Sequence, residues 1–208
     1  MIKITRIERQ KNNKERYSIY INEEYGFSVH EDILVRYTLA KGMELEKEFI
    51  DEVLRKEEQS QANNYALRLL SYKMRTEKEI WNRMIEKEYP REVIEATIDY
   101  LKELKYIDDE EYTRKFIKDK VNLKNIGKER IKRELFNKGI DSKTVNIELE
   151  ELVDDEEQYD KAMEIAVKKL NTTYKNDDKN ARYRKLGGFL QRRGYSMDIV
   201  MRILREIL

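Results

Sequence analysis

The first thirty residues alternate. Ile2 and Ile4, then Tyr17, Ile19 and Ile21, then Phe27 and Val29 are apolar, with polar residues between them. A period of two puts such residues on one face of a strand, and the stretches RQKNNKE and NEEYG fall where turns are needed. The pattern predicts a short antiparallel β-meander of three strands with one buried face. Three strands bury little alone. The segment EDILVRYTLAKG, with Ile33, Leu34 and Tyr37 at helical spacing and Gly42 as its stop, predicts a helix to cover them.

The period then changes to 3.6. MELEKEFIDEVLRKEEQSQANNYALRLLSYK carries Leu45, Phe49 and Val53, then Tyr65, Ala66, Leu69 and Leu70. This predicts either one long helix or two separated near Ser60. The single proline, Pro90, opens a helix instead of interrupting one, which leaves the rest of the chain free to be helical.

Self-similarity organises that helical part. A shift of 51 residues lays Ile80, Met84, Tyr89, Ile94, Ile98 and Leu101 on Ile131, Leu135, Ile140, Val145, Leu149 and Leu152; a further 55 reaches Leu186, Leu190, Tyr195, Val200, Leu204 and Ile207. Tyr65, Tyr112 and Tyr159 recur upstream at intervals of 47. Each unit therefore has a first helix bearing the tyrosine, a connector, and two further helices in fixed register. The expected fold is mainly α: an elongated, curved row of three-helix repeats behind a small N-terminal β-meander with a helix. The boundaries are residues 1–60, then repeats at 61–107, 108–153 and 154–208.

The helix ends fit this division. Asp108 with Glu111, Asp155 with Gln158, and Thr76 with Glu79 have capping-box spacing. Asp141 and Ser196 stand as caps of the third helices, where the first repeat has Pro90. Gly139 and Gly194 fall where the second helices must stop, a place for positive φ. The first repeat has Glu88 there, so a different turn is expected.

Composition narrows the chemistry. Of 208 residues, 43 are basic and 42 acidic, a net charge of +1, so any attraction for an anion must be local. There is no cysteine and one histidine, His30, placed at a helix start, where its role is structural. The first residues lack the apolar run of a signal peptide, and no stretch is long and apolar enough for a membrane span. A cytoplasmic monomer with no cofactor, no metal and no membrane partner is expected. The acidic runs DDEEY (108–112) and DDEEQY (154–159) lie at equivalent helix starts, where carboxylates cap amides and oppose the dipole instead of gathering a metal. KLGGFL is no phosphate loop, and no catalytic constellation is present.

Basic helices remain. Between Lys124 and Lys138 six cations stand against two anions. A helical wheel turns Ile131 and Leu135 inward and Arg130 and Arg133 outward, with Lys128 and Lys132 at the flanks. In the third repeat Tyr183, Leu186, Phe189 and Leu190 form the apolar stripe, while Arg184, Lys185 and Arg192 face out. A charged run is often just a solvated face. The same sign on equivalent helices also fits an anionic partner laid across repeats. The candidate contact residues are Lys124, Lys128, Arg130, Lys132, Arg133, Arg184, Lys185 and Arg192. Lys87, Lys138 and Arg193 recur just before the turn, where the helix dipole alone favours a cation.

Tandem three-helix units with ALRLLSYKMRTEKEI, LKYIDDEEYTRKFI and GKERIKRELFNKGI in that order resemble the RecX family of bacterial RecA regulators, over about residues 62–208. The strand-rich start is similar to the N-terminal part of some members. The chain departs from the family pattern at Met74, Arg75 and Glu88. The resemblance implies a non-enzymatic protein that lodges in the groove of the RecA–single-stranded-DNA filament and inhibits strand exchange, ATP hydrolysis and coprotease activity. It also implies possible direct partners in single- and double-stranded DNA. A DNA-binding helical module acting without a recombinase, and a protein-interaction scaffold, stand as the alternatives.

Overall fold

A computed structural model describes residues 2–208. The chain forms two compact units, one of residues up to Lys73 with Arg83–Tyr106, the other of Met74–Asn82 with Ile107–Leu208.

In the first unit, β1 (Ile2–Arg9), β2 (Arg16–Ile21) and β3 (Glu24–His30) form the meander, and a fourth strand, β4 (Glu44–Leu45), pairs with the outer edge of β1. The antiparallel sheet has the order β3-β2-β1-β4. Two expectations are corrected here. Leu45 belongs to β4 and not to the following helix. The first helix, α1 (Glu31–Arg36), ends well before Gly42, whose φ of 92° instead turns the chain into β4. That turn is fixed by the Gly42 amide donating to the Ile4 carbonyl at 2.8 Å. Ile4, Ile19, Phe27, Val29, Ile33, Leu39, Leu45 and Val53 make the core. His30 caps α1, its Nδ1 accepting from the Asp32 amide.

The helix α2 (Lys47–Tyr72) runs unbroken through Ser60, so of the two alternatives read from the pattern the single long helix is the one formed. The 60/61 boundary thus lies inside it. Buried Glu57 on α2 accepts from Arg16 and from the His30 amide, both at 2.7 Å, which ties the helix to the sheet. Further along, Gln59 and Asn63 of α2 hydrogen-bond the buried Thr97 of α4 (Arg91–Glu103). The short α3 (Glu77–Ile85) is divided between the units after Asn82.

The second unit holds two full repeats: α5 (Asp109–Lys124), α6 (Lys128–Asn137) and α7 (Ser142–Leu152), then α8 (Asp155–Asn171), α9 (Lys179–Arg193) and α10 (Met197–Ile207). Each has its own core on the register read from the sequence. Ile131, Leu135, Ile140, Val145 and Leu149 are buried with Ile117 and Val121 in one; Leu186, Leu190, Tyr195, Val200 and Leu204 are buried with Tyr159 in the other. Tyr183 is the exception in the predicted stripe, 40% exposed at its rim.

Most predicted caps form. Asp108, Asp141 and Ser196 accept from amides of the first turns they open. Thr76 and Glu79 make the reciprocal box, each accepting at 3.2 Å from the other's amide. In the third repeat the cap is Asp154, one residue earlier than predicted, and Gln158 is buried instead. Glu88, expected to mark a different turn, has φ 60°, the same left-handed region as Gly139 (89°) and Gly194 (90°), and is exposed.

Candidate partner-binding groove

The second helices of successive repeats meet end to end. At the C-terminus of α9, the Arg193 and Gly194 carbonyls accept from the Gly127 and Glu129 amides at the start of α6, both at 3.0 Å. Amides that a helix start leaves unpaired are thus satisfied by carbonyls that a helix end leaves unpaired, and the two dipoles align head to tail. Arg193 and Tyr195 add side-chain bonds to the Lys124 and Asn125 carbonyls, at 2.6 and 3.1 Å. Burial lifts the Tyr195 phenol to about 12.

The C-terminus of α6 meets the start of α3 in the same way but through side chains. The Thr76 hydroxyl donates to the Lys138 carbonyl at 2.7 Å, and the Lys138 ammonium pairs with Glu79, also at 2.7 Å. Burial works to lower the Lys138 pKa, but its bonds to Glu79 and Tyr112 outweigh this and raise it. Both glycines are needed for more than their φ. A Cβ on Gly194 would press on Arg130, 2.5 Å from its nitrogen, and one on Gly139 would lie 2.6 Å from the Lys78 Cβ.

The α9–α6 junction opens a groove of about 670 Å³ lined by Arg130, Arg133, Glu134 and Asn137 of α6 and by Gly188, Gln191 and Arg192 of α9. These are positions i, i+3, i+4 and i+7 on α6 and i, i+3 and i+4 on α9, so each set is one face of its helix. Arg130 is half-buried: its Nε donates to Glu134 at 2.8 Å and its Nη1 reaches the Arg192 carbonyl at 3.4 Å. Glu134 also accepts from Lys120. Burial pushes the Glu134 carboxyl up, but the bonds from Lys120 and Arg130 prevail and hold it below the usual range. Among the described residues, Arg133 and Arg192 make no ion pair; both are exposed to the groove.

The eight predicted contact residues therefore do not form one surface. Arg130, Arg133 and Arg192 converge. Lys128 and Lys132, expected at the flanks of that patch, line a second groove with Glu129, Glu150, Asp155 and Asp198, where Lys128 is paired with Asp155 at 2.6 Å. Lys185 is held by both oxygens of Asp177 at 2.7 and 2.8 Å. Lys124 and Arg184 are exposed but line neither groove, and Lys124 contributes its carbonyl to the junction. The outward placement of Arg130 needs correction, since its carbon frame is packed against Gly194 and its head is engaged. The sequence reading missed Glu134, Asn137, Gly188 and Gln191. Their spacing from the arginines was visible, but which faces oppose each other depends on how the helices dock.

The acidic runs are helix starts, as read. Among the described residues no group of three or more His, Cys, Asp or Glu is placed to hold a metal ion, and no helix is long and apolar enough to cross a membrane.

The fold and groove define a class: tandem three-helix repeats behind a small β domain, with a cationic groove between repeats. The chain matches the regulatory protein RecX N-terminal domain at residues 2–46 and the first, second and third RecX three-helix domains at 62–101, 108–147 and 155–204. It is 33% identical over 205 residues to the regulatory protein RecX of Clostridioides difficile, covering 99% of this chain and 95% of that one. It is 34% identical over 206 residues to that of Clostridium acetobutylicum, covering 98% and 95%. A crystal structure of regulatory protein RecX superposes with a TM-score of 0.77 at 31% identity, covering 98% of each chain. That of RecX from Lactobacillus salivarius gives 0.66 at 30%, covering 73% of this chain and 97% of that one. The chain belongs to the RecX family of regulatory proteins.

Proposed function

We propose that this protein regulates the RecA recombinase without catalysing a reaction of its own. It binds along the RecA–single-stranded-DNA filament in the cytoplasm and inhibits strand exchange, ATP hydrolysis and coprotease activity, and so acts on homologous recombination and the SOS response. The observation that carries this reading is the α6–α9 groove, in which a member of a family of regulators brings three guanidinium groups together where two repeats meet. Planar guanidinium forks suit phosphate and carboxylate, the anions a nucleoprotein filament presents. A contact surface that spans repeats also suits a partner that is itself repetitive.

The test is RecA ATP hydrolysis on single-stranded DNA, with strand exchange, at stoichiometric protein. Both are expected to fall. Reversing Arg133 and Arg192 together to Glu is expected to weaken filament binding about tenfold or more with helix content unchanged. These two are a cleaner pair than Arg130 with Arg133, because Arg130 also supports the junction. Unchanged RecA activities together with no filament binding would sink the reading.

A further inference from the structure

The groove carries its own anion. Glu134 sits among the three arginines and gives one oxygen to Arg130 and the other to Lys120 on α5. Its two partners are thereby neutralised in part from inside, whereas Arg133 and Arg192 are left without a carboxylate. The position next to Arg192 is Gly188, where a Cβ would lie 3.1 Å from the Arg192 Nη1. The guanidinium thus packs against a residue with no side chain, close to the α9 main chain.

We infer that Glu134 is the built-in counter-anion of this groove, and that it sets how tightly the groove takes the phosphodiester backbone of a nucleic-acid strand. The inference rests on the reading of the groove as the contact surface. A lone carboxylate from a protein partner would offer Arg130 no more than Glu134 already supplies. A strand brings successive anions along an open groove of about 670 Å³, lined also by the Asn137 and Gln191 amides, and its binding releases condensed counterions. Arg133 and Arg192 are free to meet the strand. Arg130 is exchanged from Glu134 to a phosphate, and the carboxylate left behind lowers the gain. Glu134 thereby keeps the affinity moderate, as suits a protein that must leave its partner.

The test is fluorescence anisotropy of a labelled single-stranded oligonucleotide with the full chain between 50 and 200 mM salt. Glu134→Gln keeps the shape and removes the charge. It is expected to bind about three- to tenfold tighter at the low-salt end, with a log–log salt slope steeper by about one. Lys120→Met leaves the whole Glu134 charge to Arg130 from outside the groove and is expected to weaken binding about two- to threefold. It also keeps the test alive if Glu134→Gln loses helix content by circular dichroism. If neither variant moves the affinity in its stated direction, while the Arg133 and Arg192 reversal weakens it, the role of Glu134 is overturned and the groove reading stands. If the double reversal changes neither oligonucleotide nor filament binding, both fall together. Displacement of the oligonucleotide by polyglutamate of equal charge as readily as by unlabelled DNA would overturn the phosphodiester assignment in favour of an acidic protein segment.

Discussion

The two end-to-end junctions solve one geometric problem with different chemistry. Where α9 runs into α6, main chain meets main chain: Gly127 has no side chain to intervene, and the last carbonyls of one helix cap the first amides of the next. Where α6 runs into α3, Thr76 replaces that glycine, and its hydroxyl both accepts from the Glu79 amide and donates to the Lys138 carbonyl. The main-chain bonds of the first junction are between neutral groups and short-range. The second depends on a buried hydroxyl and a part-exposed ion pair, and the ion pair is adjustable by salt. A repeat can conserve its backbone path while the interaction that fixes the path changes.

The largest expected difference comes from adding one methyl. Gly194→Ala puts a Cβ against the Arg130 backbone, which cannot yield, at a φ that disfavours any side chain. It is expected to cost about 3 kcal/mol in urea denaturation. Gly139→Ala meets the Cβ and Cδ of Lys78, of which only the Cδ can swing away, but no backbone nitrogen, and is expected to cost about 2 kcal/mol. Glu88→Gly, at the same backbone conformation but exposed, is expected to be neutral or slightly stabilising. Equal losses at Gly139 and Gly194 would show that φ alone matters and would dissolve the comparison.

Alkali distinguishes the junctions next. The Tyr195 phenol is raised to about 12 from an ordinary value near 10, so its stabilisation is full below pH 10 and is lost as the pH climbs to 12. That window holds about 2 kcal/mol, and Tyr195→Phe should remove this part of the pH dependence while costing about 1 kcal/mol for the bond to the Asn125 carbonyl. Lys138, also raised, loses its contribution as pH rises through its folded value, so the residual alkaline slope of Tyr195→Phe should become shallower on adding Lys138→Met.

Lys138→Met alone is expected to cost about 1 kcal/mol at low salt and less at 1 M, because Lys138 and Glu79 are both a quarter exposed. A loss that does not shrink with salt would assign the α6–α3 junction to packing instead of charge.

What could be read from the sequence was local or periodic. The meander, the repeat register and the glycine ends show because burial and positive φ act on each residue where it stands, as Ile131, Leu135 and Gly139 illustrate. β4 was hidden because Leu45, Phe49 and Val53 keep helical spacing across a two-residue strand that exists only by pairing with β1. The eight basic residues looked alike in the sequence, since a wheel reports the direction from one axis and not what stands opposite. Asp155 waits beside Lys128 and Asp177 beside Lys185, while Arg133 faces Arg192 across two helices whose register is fixed by Gly194 and Gly127.

Glu88 bears on how such chains gain and lose modules. α6 and α9, which abut an upstream neighbour, are followed by a glycine of positive φ; after α3 the residue in that left-handed region is a glutamate. A Cβ at the equivalent place after α6 or α9 would collide with the neighbouring helix start. The chain thus carries a stop sign in a single side chain, and a protein engineer wishing to splice another unit ahead of the first would have to begin by erasing it.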